Sequence, residues 1–246
     1  MLIDTNFSFT SDTPNYWDGY WEINGGLGCG KKDPDSDSKT ANTYHRLLWS
    51  KELPNGEFMK LERGAGGTLR WGEMYFSSDS ITTGFRYHKY KQMLDKVAER
   101  VPDYKAFVEK YVYDFYTIGG MIIFPVMRNS INQMRGTNAR ISDRWDLTLE
   151  CIRRYYSGEE SPLQNVLERN KFFFDLFVDF KGYVDFFLLQ DCVDSKYETV
   201  NMWTDVNPFI DKALPRSVDE YFSWINKEYE FVNKRNKRIE EYAKTH

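Results

Sequence analysis

The pattern of turn formers and apolar spacing changes once along this chain, near Gly84, and that change limits the fold more than any other feature. Before it, turn formers are dense: Thr13-Pro14-Asn15, Gly25-Gly26, Asp33-Pro34, Pro54-Asn55-Gly56 and Gly64 to Gly67. Short aromatic runs such as Tyr16-Trp17 and Met74-Tyr75-Phe76 lie between them, which reads as irregular and β-leaning, with one short helix over Thr40 to Trp49. After it, helical spacing dominates. Phe85 to Val101 and Asp103 to Tyr116 carry that spacing, with Pro102 as the breaker, and Met121 to Phe124 reads as a buried strand stopped at Pro125. Ser142 or Asp143 caps a helix in which Trp145, Leu149, Ile152 and Tyr156 form one apolar stripe. Ser161-Pro162-Leu163-Gln164 starts another, which runs into an aromatic stretch and breaks near Gly182. Ser217-Val218-Asp219-Glu220 opens a last helix to about Tyr242, with Val218, Phe222, Ile225, Tyr229, Val232 and Ile239 along one side. The expectation is an α+β fold, with a β-leaning irregular N-terminal third packed on a mostly helical C-terminal part. A length of 246 residues fits one domain over 1–246, with the change of pattern near 80–84 as the one candidate sub-boundary.

Composition excludes several classes. A net charge of −4 with 28% charged residues suits neither a nonspecific DNA coat nor a polybasic membrane anchor. The most apolar segment, Phe172 to Leu189, is interrupted by Asp175, Asp179, Lys181 and Asp185, so it makes no comfortable membrane span. Cys29, Cys151 and Cys192 lie far apart with no CxxC pair, which argues against a zinc ribbon or disulfide scaffold and fits a reducing cytosol. The N-terminus shows no signal-peptide pattern. A cytoplasmic protein is expected. Eighteen Phe, 17 Tyr and 7 Trp suit a core first, and interfaces or base-stacking surfaces second.

Several motifs approach a known chemistry and miss it. Gly25 to Lys32 nearly spells a P-loop, but Lys32 replaces the hydroxyl residue that would hold magnesium, and the DPDSDS that follows is not expected to open a helix. Asp33, Asp35 and Asp37 resemble the start of a calcium loop, yet Ser38 and Tyr44 stand where glycine and glutamate are required. A solvated acidic turn is the plainer reading of that run, with a looser divalent-metal loop as the alternative. His45 and His88 lie in no metal-binding spacing, which excludes a histidine-rich metal site as a local motif; either is a general-base candidate, and His45 is the one assigned to the site.

The stretch from Phe115 to Ser142 contains no acidic residue. Its loop carries Arg128, Asn132, Gln133, Arg135, Asn138 and Arg140, which together suit an anion, because guanidinium groups and fixed donors bind phosphate or carboxylate oxygens in pairs. Asp143, Asp146 and Glu150 follow on one helix face opposite the Trp145 stripe, where a solvated surface with a Glu150–Arg154 pair is the plain reading. The sharper reading sets these acids beside Arg135 and Arg140, where they position a substrate, hold a metal or buttress the arginines; in a phosphate-ligand site, Asp143 or Asp146 is the acid/base group and Trp145 stacks on a base.

The phrases TIGGMIIFP, SINQMRGTN, SDRWDLTLECIRRYY and FFDLFVDFKGYVDFFLLQD, with DTPNYWDGYW and LLWSKELPNG nearer the start, resemble an uncharacterised bacterial family, a domain of unknown function. The resemblance implies a bacterial or phage cytosolic setting and transfers no activity, cofactor or catalytic residue. Two functions follow from the residues. One is binding of a phosphate-bearing ligand (nucleotide, dinucleotide or nucleic-acid end), with hydrolysis or group transfer as the natural reaction class. The other is a noncatalytic interaction module of a bacterial conflict or regulatory system, with a protein partner or a second copy of the chain.

Overall fold

A computed structural model of the chain describes residues 2–13, 15–18, 20–21, 32–81, 91–127, 130–135, 141–204, 209 and 215–246. Helix α1 (Pro34–Asp37) is a single turn that DPDSDS does open: the Asp33 carboxylate accepts the Asp35 N–H at 3.1 Å, and Pro34 takes the first position. Aspartate before proline is itself a start signal, which the acidity of the run obscured. Helix α2 (Lys39–Trp49) follows at once, capped by Ser38, whose hydroxyl accepts from the Ala41 N–H at 3.0 Å.

A four-stranded antiparallel sheet comes next, in the order β1 (Glu62–Arg63), β2 (Leu69–Trp71), β3 (Met74–Ser80) and β4 (Met121–Pro125). Between β3 and β4 the chain makes α3 (Lys91–Arg100) and α4 (Tyr104–Phe115), the latter capped by the Asp103 carboxylate. The register sets Phe76 opposite Pro125, Ser78 opposite Ile123 and Ser80 opposite Met121. All of β4 is buried although it is the last strand in the sheet order, so packing covers both of its faces. Alternation along β3 then assigns two roles. Phe76 and Ser78 face one side, against the Phe173 ring (5.9 Å between centroids) and His45. Ser77 and Asp79 face the other, toward Asn132 and Arg135.

The C-terminal part is helical: α5 (Ile131–Met134), α6 (Trp145–Ser157), α7 (Gln164–Arg169), α8 (Lys171–Phe174), α9 (Phe180–Phe186) and α10 (Val218–Thr245). Two expectations need correction. The acid-bearing face of α6 is not solvated: Asp146 is 0% and Glu150 8% exposed, because the helix is packed on all sides through its first two turns. The expected long helix after Ser161 is broken into pieces, at Asn170 and at Val178, while Gly182 lies inside α9. The breaks let Phe173, Phe177, Tyr183 and Phe187 turn inward, with ring centroids 5.0–5.2 Å apart along the series. A continuous helix would have strung these rings along about 21 Å of its length, whereas the breaks bring the Phe173 ring within 6.4 Å of that of Phe187. Buried apolar residues from Ile3 to Ala243 belong to one core cluster. Among the described residues, no helix is long and apolar enough to cross a membrane.

Helix α10 opens as expected, with the Ser217 hydroxyl accepting from Glu220 N–H at 3.1 Å. Its Arg235 is wholly buried and ties it to the rest: Nη1 donates to the carbonyls of Gly119 (3.0 Å) and Met121 (2.7 Å), and Nε and Nη2 to that of Phe187.

Val178 sits at φ 68°, ψ −53°, in a tight turn closed by the Asp179 N–H to the Phe177 carbonyl at 2.8 Å, with its side chain 64% exposed. A β-branched residue is strained there and gains little from packing. Val178→Gly is expected to stabilise the chain by about 1 kcal/mol, read as a raised urea midpoint.

Candidate functional site

Arg135 enters the core at the end of α5 and is 1% exposed. Nε donates to Thr148 Oγ1 (3.0 Å) on α6. Nη1 donates to Asp79 Oδ2 (2.5 Å) and the Ser80 carbonyl (3.0 Å) on β3, and Nη2 pairs with Asp143 Oδ1 at 3.2 Å. Nε and Nη1 are hydrogen-bonded within the protein, Nη2 is ion-paired but has no hydrogen-bond acceptor among the described residues, and Arg135 is a strut joining β3, the end of α5 and the start of α6. Burial works against its charge, but Asp143 and Asp79 more than offset that, and its pKa is raised. Each carboxylate keeps 19% of its side-chain surface. Burial raises the Asp79 pKa against the opposing pull of Arg135, and Asp143 and Asp33 add to the rise. Chemically, this is a carboxyl pair on a shared cation, one member of which binds its proton more tightly than usual.

Around the strut, Asn132 is half-buried and donates Nδ2–H to Ser77 Oγ at 3.2 Å, while its Oδ1 accepts no hydrogen bond among the described residues. Gln133 is exposed. Trp145 is 0% exposed, packed by Phe124 (6.2 Å) with the Arg135 guanidinium 5.8 Å from its ring, so it offers no face for a base to stack on. Arg128, Asn138 and Arg140, like His88 and most of the glycine-rich run 25–32, lie outside the described residues. The structure thus brings together Asn132, Arg135, Asp143 and Trp145, and it places Arg135 and Trp145 behind the surface rather than on it.

The other two candidates lie elsewhere. His45 is 0% exposed; its Nδ1 accepts from Trp49 Nε1–H (3.0 Å), which leaves Nε2–H to donate to Ser78 Oγ (2.9 Å). Burial, then the Arg235 charge, pulls its pKa down to about 3. It is a neutral core histidine with both nitrogens occupied. Asp146 is also 0% exposed and is held by both Nε (3.0 Å) and Nη2 of Arg144 and by the Trp203 N–H (2.9 Å). Arg144 continues to Thr204 Oγ1 (3.1 Å) and lies 5.5 Å from the Trp224 ring. Nearby, Tyr111 donates its O–H to Glu228 Oε2 (2.7 Å), and burial pushes the Glu228 carboxyl up to about 8.

Sequence reasoning missed Asp79, Arg144, Glu228 and Arg235. For the last two a signal existed. Glu228 and Arg235 fall on the stripe of Tyr221, Trp224, Ile225, Phe231, Val232 and Ile239, so helix arithmetic already turned two charges inward. Among the described residues no group of three or more His, Cys, Asp or Glu is placed to hold a metal ion. The described residues form open depressions that include one of about 590 Å³ lined by Trp17, Glu109, Lys110, Tyr113 and Asp114 and one of about 280 Å³ beside Glu150, Arg153 and Met202.

A model of a family of unknown function (DUF6994) matches residues 3–239. No curated protein and no solved structure matches the chain.

Removing the strut leaves two carboxylates facing an empty site, so Arg135→Ala is expected to destabilise by about 3–5 kcal/mol, seen as a lowered melting temperature without any ligand. The Glu228 pKa lies above its ordinary value, so its contribution to stability is complete below about pH 4.5 and is lost as pH rises through about 8. Relative to wild type, Glu228→Gln is expected to gain about 1–3 kcal/mol between pH 6 and pH 9, measured by urea unfolding at both.

Proposed function

We propose, from the premise that the chain belongs to the DUF6994 family, that it binds a phosphate-bearing ligand through the loop between β4 and α6. The ligand class is a nucleotide, a dinucleotide or a nucleic-acid end. The observation that supports this most is the strut itself. Arg135 and Ile141, at either side of residues 136–140, form a backbone bridge, and the Arg135 side chain fastens that point to β3 and α6. Binding loops work from such rigid bases, because a donor held in place loses less entropy on meeting its ligand. Arg135 is then the anchor of the loop, and Arg128, Asn132, Gln133, Asn138 and Arg140 are its contact residues. Asn132 brings a carbonyl oxygen with acceptor capacity left over. If a hydrolytic or transfer step accompanies binding, Asp79 and Asp143 are the carboxyls beside the loop with some surface exposed. A bacterial or phage cytosolic setting belongs to the same reading.

A second reading is favoured by a different observation. His45, Asp146 and Trp145 are all sealed inside, and both depressions are open to solvent. Such a surface suits a noncatalytic module that meets a protein partner or a second copy of the chain. The two readings separate in one thermal-shift series with ATP, a dinucleotide and short RNA, on the wild type and on Arg128→Ala/Arg140→Ala. The first reading expects a rise in melting temperature that the double variant loses; a ligand at about a hundred times its dissociation constant adds roughly 2.7 kcal/mol. No shift with any of the three moves the conclusion to the interaction module.

A further inference from the structure

We propose that the depression between Trp17 and α4 is a binding site for a guanidinium group, presented as the arginine side chain of a basic peptide. It shares no residue with the loop after β4 and takes a ligand of the opposite charge, so it stands apart from the reading above. The depression holds about 590 Å³, within the range of small-ligand sites, and is lined by Trp17, Glu109, Lys110, Tyr113 and Asp114. Two of these are rings. Trp17 is the half-buried member of a packed cluster: its indole meets Tyr16 at 4.9 Å and Tyr20 at 5.0 Å, both edge-on, and both tyrosines are buried. Tyr113 is 46% exposed, and its ring and hydroxyl make no ring contact or hydrogen bond among the described residues. One wall is therefore braced from behind, and the other is a large ring that the fold itself does not use.

Charge selects the ligand. Glu109 and Tyr113 lie one turn apart on α4, as do Lys110 and Asp114, so the lining sets two carboxylates and two rings against one ammonium. The chain's own cations hold these acids loosely. Lys110 pairs with Asp114, and Lys105 reaches Glu109 at 3.8 Å, with the two lysine side chains 72% and 64% exposed. Exposed pairs one turn apart contribute little, so a cation held by several groups at once displaces them. The same surface already shows this arrangement in miniature. Trp21 donates Nε1–H to Glu109 Oε1 at 2.9 Å, and Lys105 Nζ lies 5.9 Å from the Trp21 ring, so one ammonium stands beside both an indole and that carboxylate. A guanidinium suits the depression better than a second ammonium, because its plane stacks on a ring while its edge donates two parallel N–H bonds to a carboxylate. The volume exceeds that of one such group and leaves room for the peptide that carries it.

The test titrates the intact chain with a capped Gly-Arg-Gly peptide and follows the indole N–H resonance of Trp17 by nuclear magnetic resonance. A saturable shift is expected, and none with the matching citrulline peptide, whose side chain keeps its shape and loses its charge. Methylguanidinium, the same group without a peptide, is expected to bind more weakly; if it binds as tightly, the peptide source is overturned. Tyr113→Ala removes an exposed ring and is expected to leave the melting temperature unchanged while weakening binding about twofold to fivefold, the size of one exposed cation–ring contact. Lys110→Ala removes the competing ammonium and is expected to tighten binding by up to about fivefold. No saturable shift at Trp17, an equal shift with the citrulline peptide, or binding that Tyr113→Ala leaves unchanged overturns the proposal.

Discussion

Burying a guanidinium group obliges the surrounding chain to supply acceptors for a fork of five N–H donors, and this protein meets that demand at Arg135, Arg144 and Arg235, each wholly or almost wholly inside. The solutions differ. Arg135 is met by two carboxylates, a hydroxyl and a carbonyl. Arg144 is met by one carboxylate and a threonine hydroxyl. Arg235 is met by main-chain carbonyls of Gly119, Met121 and Phe187. Each arginine joins segments far apart in sequence, so helices, sheet and turns are held in register by directional bonds as well as by the aromatic core. Burying a charge gains little against a well-packed apolar side chain, but removing one partner is severe, since the other is left buried and unpaired.

Arg235 also sets the electrical environment of its neighbours. No carboxylate is among its hydrogen-bond acceptors, and its charge adds to burial, the larger cause, in pushing His45 and Lys51 toward their neutral forms. For His45 the result is a fixed tautomer that bridges Trp49 and Ser78. For Lys51, the ammonium is opposed by burial and Arg235 while the rings of Trp49, Phe186 and Tyr242 attract it. Arg135 plays the opposite part: its cation is shared by Asp79 and Asp143, and its side chain is fully buried, out of reach of an external anion. The surface consequence of Arg135 lies in what it holds still, which is the start of the loop that follows α5.

Much of the fold was legible in the sequence because its signals are local. The helices over Thr40–Trp49 and Asp103–Tyr116, the strand at Met121, and the capped start at Ser217 all depend on side chains within a turn or two of each other. Where the local reading failed, packing overrode it. Four aromatic rings between Phe173 and Phe187 had to converge, and the helix was broken at Asn170 and Val178 to let them. The acids of α6 read as a solvated face because nothing nearby in sequence announces that the Trp203 N–H reaches Asp146.

The candidate site divides in the same way. The sequence by itself determined the fold class and the acid-free loop, and offered the adjacency of Arg135 to Asp143 as one of two readings, because charge pattern and short-range spacing are properties of the chain. Tertiary structure alone decided that Arg135 is a strut, that His45 and Asp146 are sealed, and that Asp79 completes the cluster. The reason is physical: whether an arginine serves a ligand or the protein depends on which acceptors reach its fork first. Asp79 arrives there from 56 residues away, across the sheet.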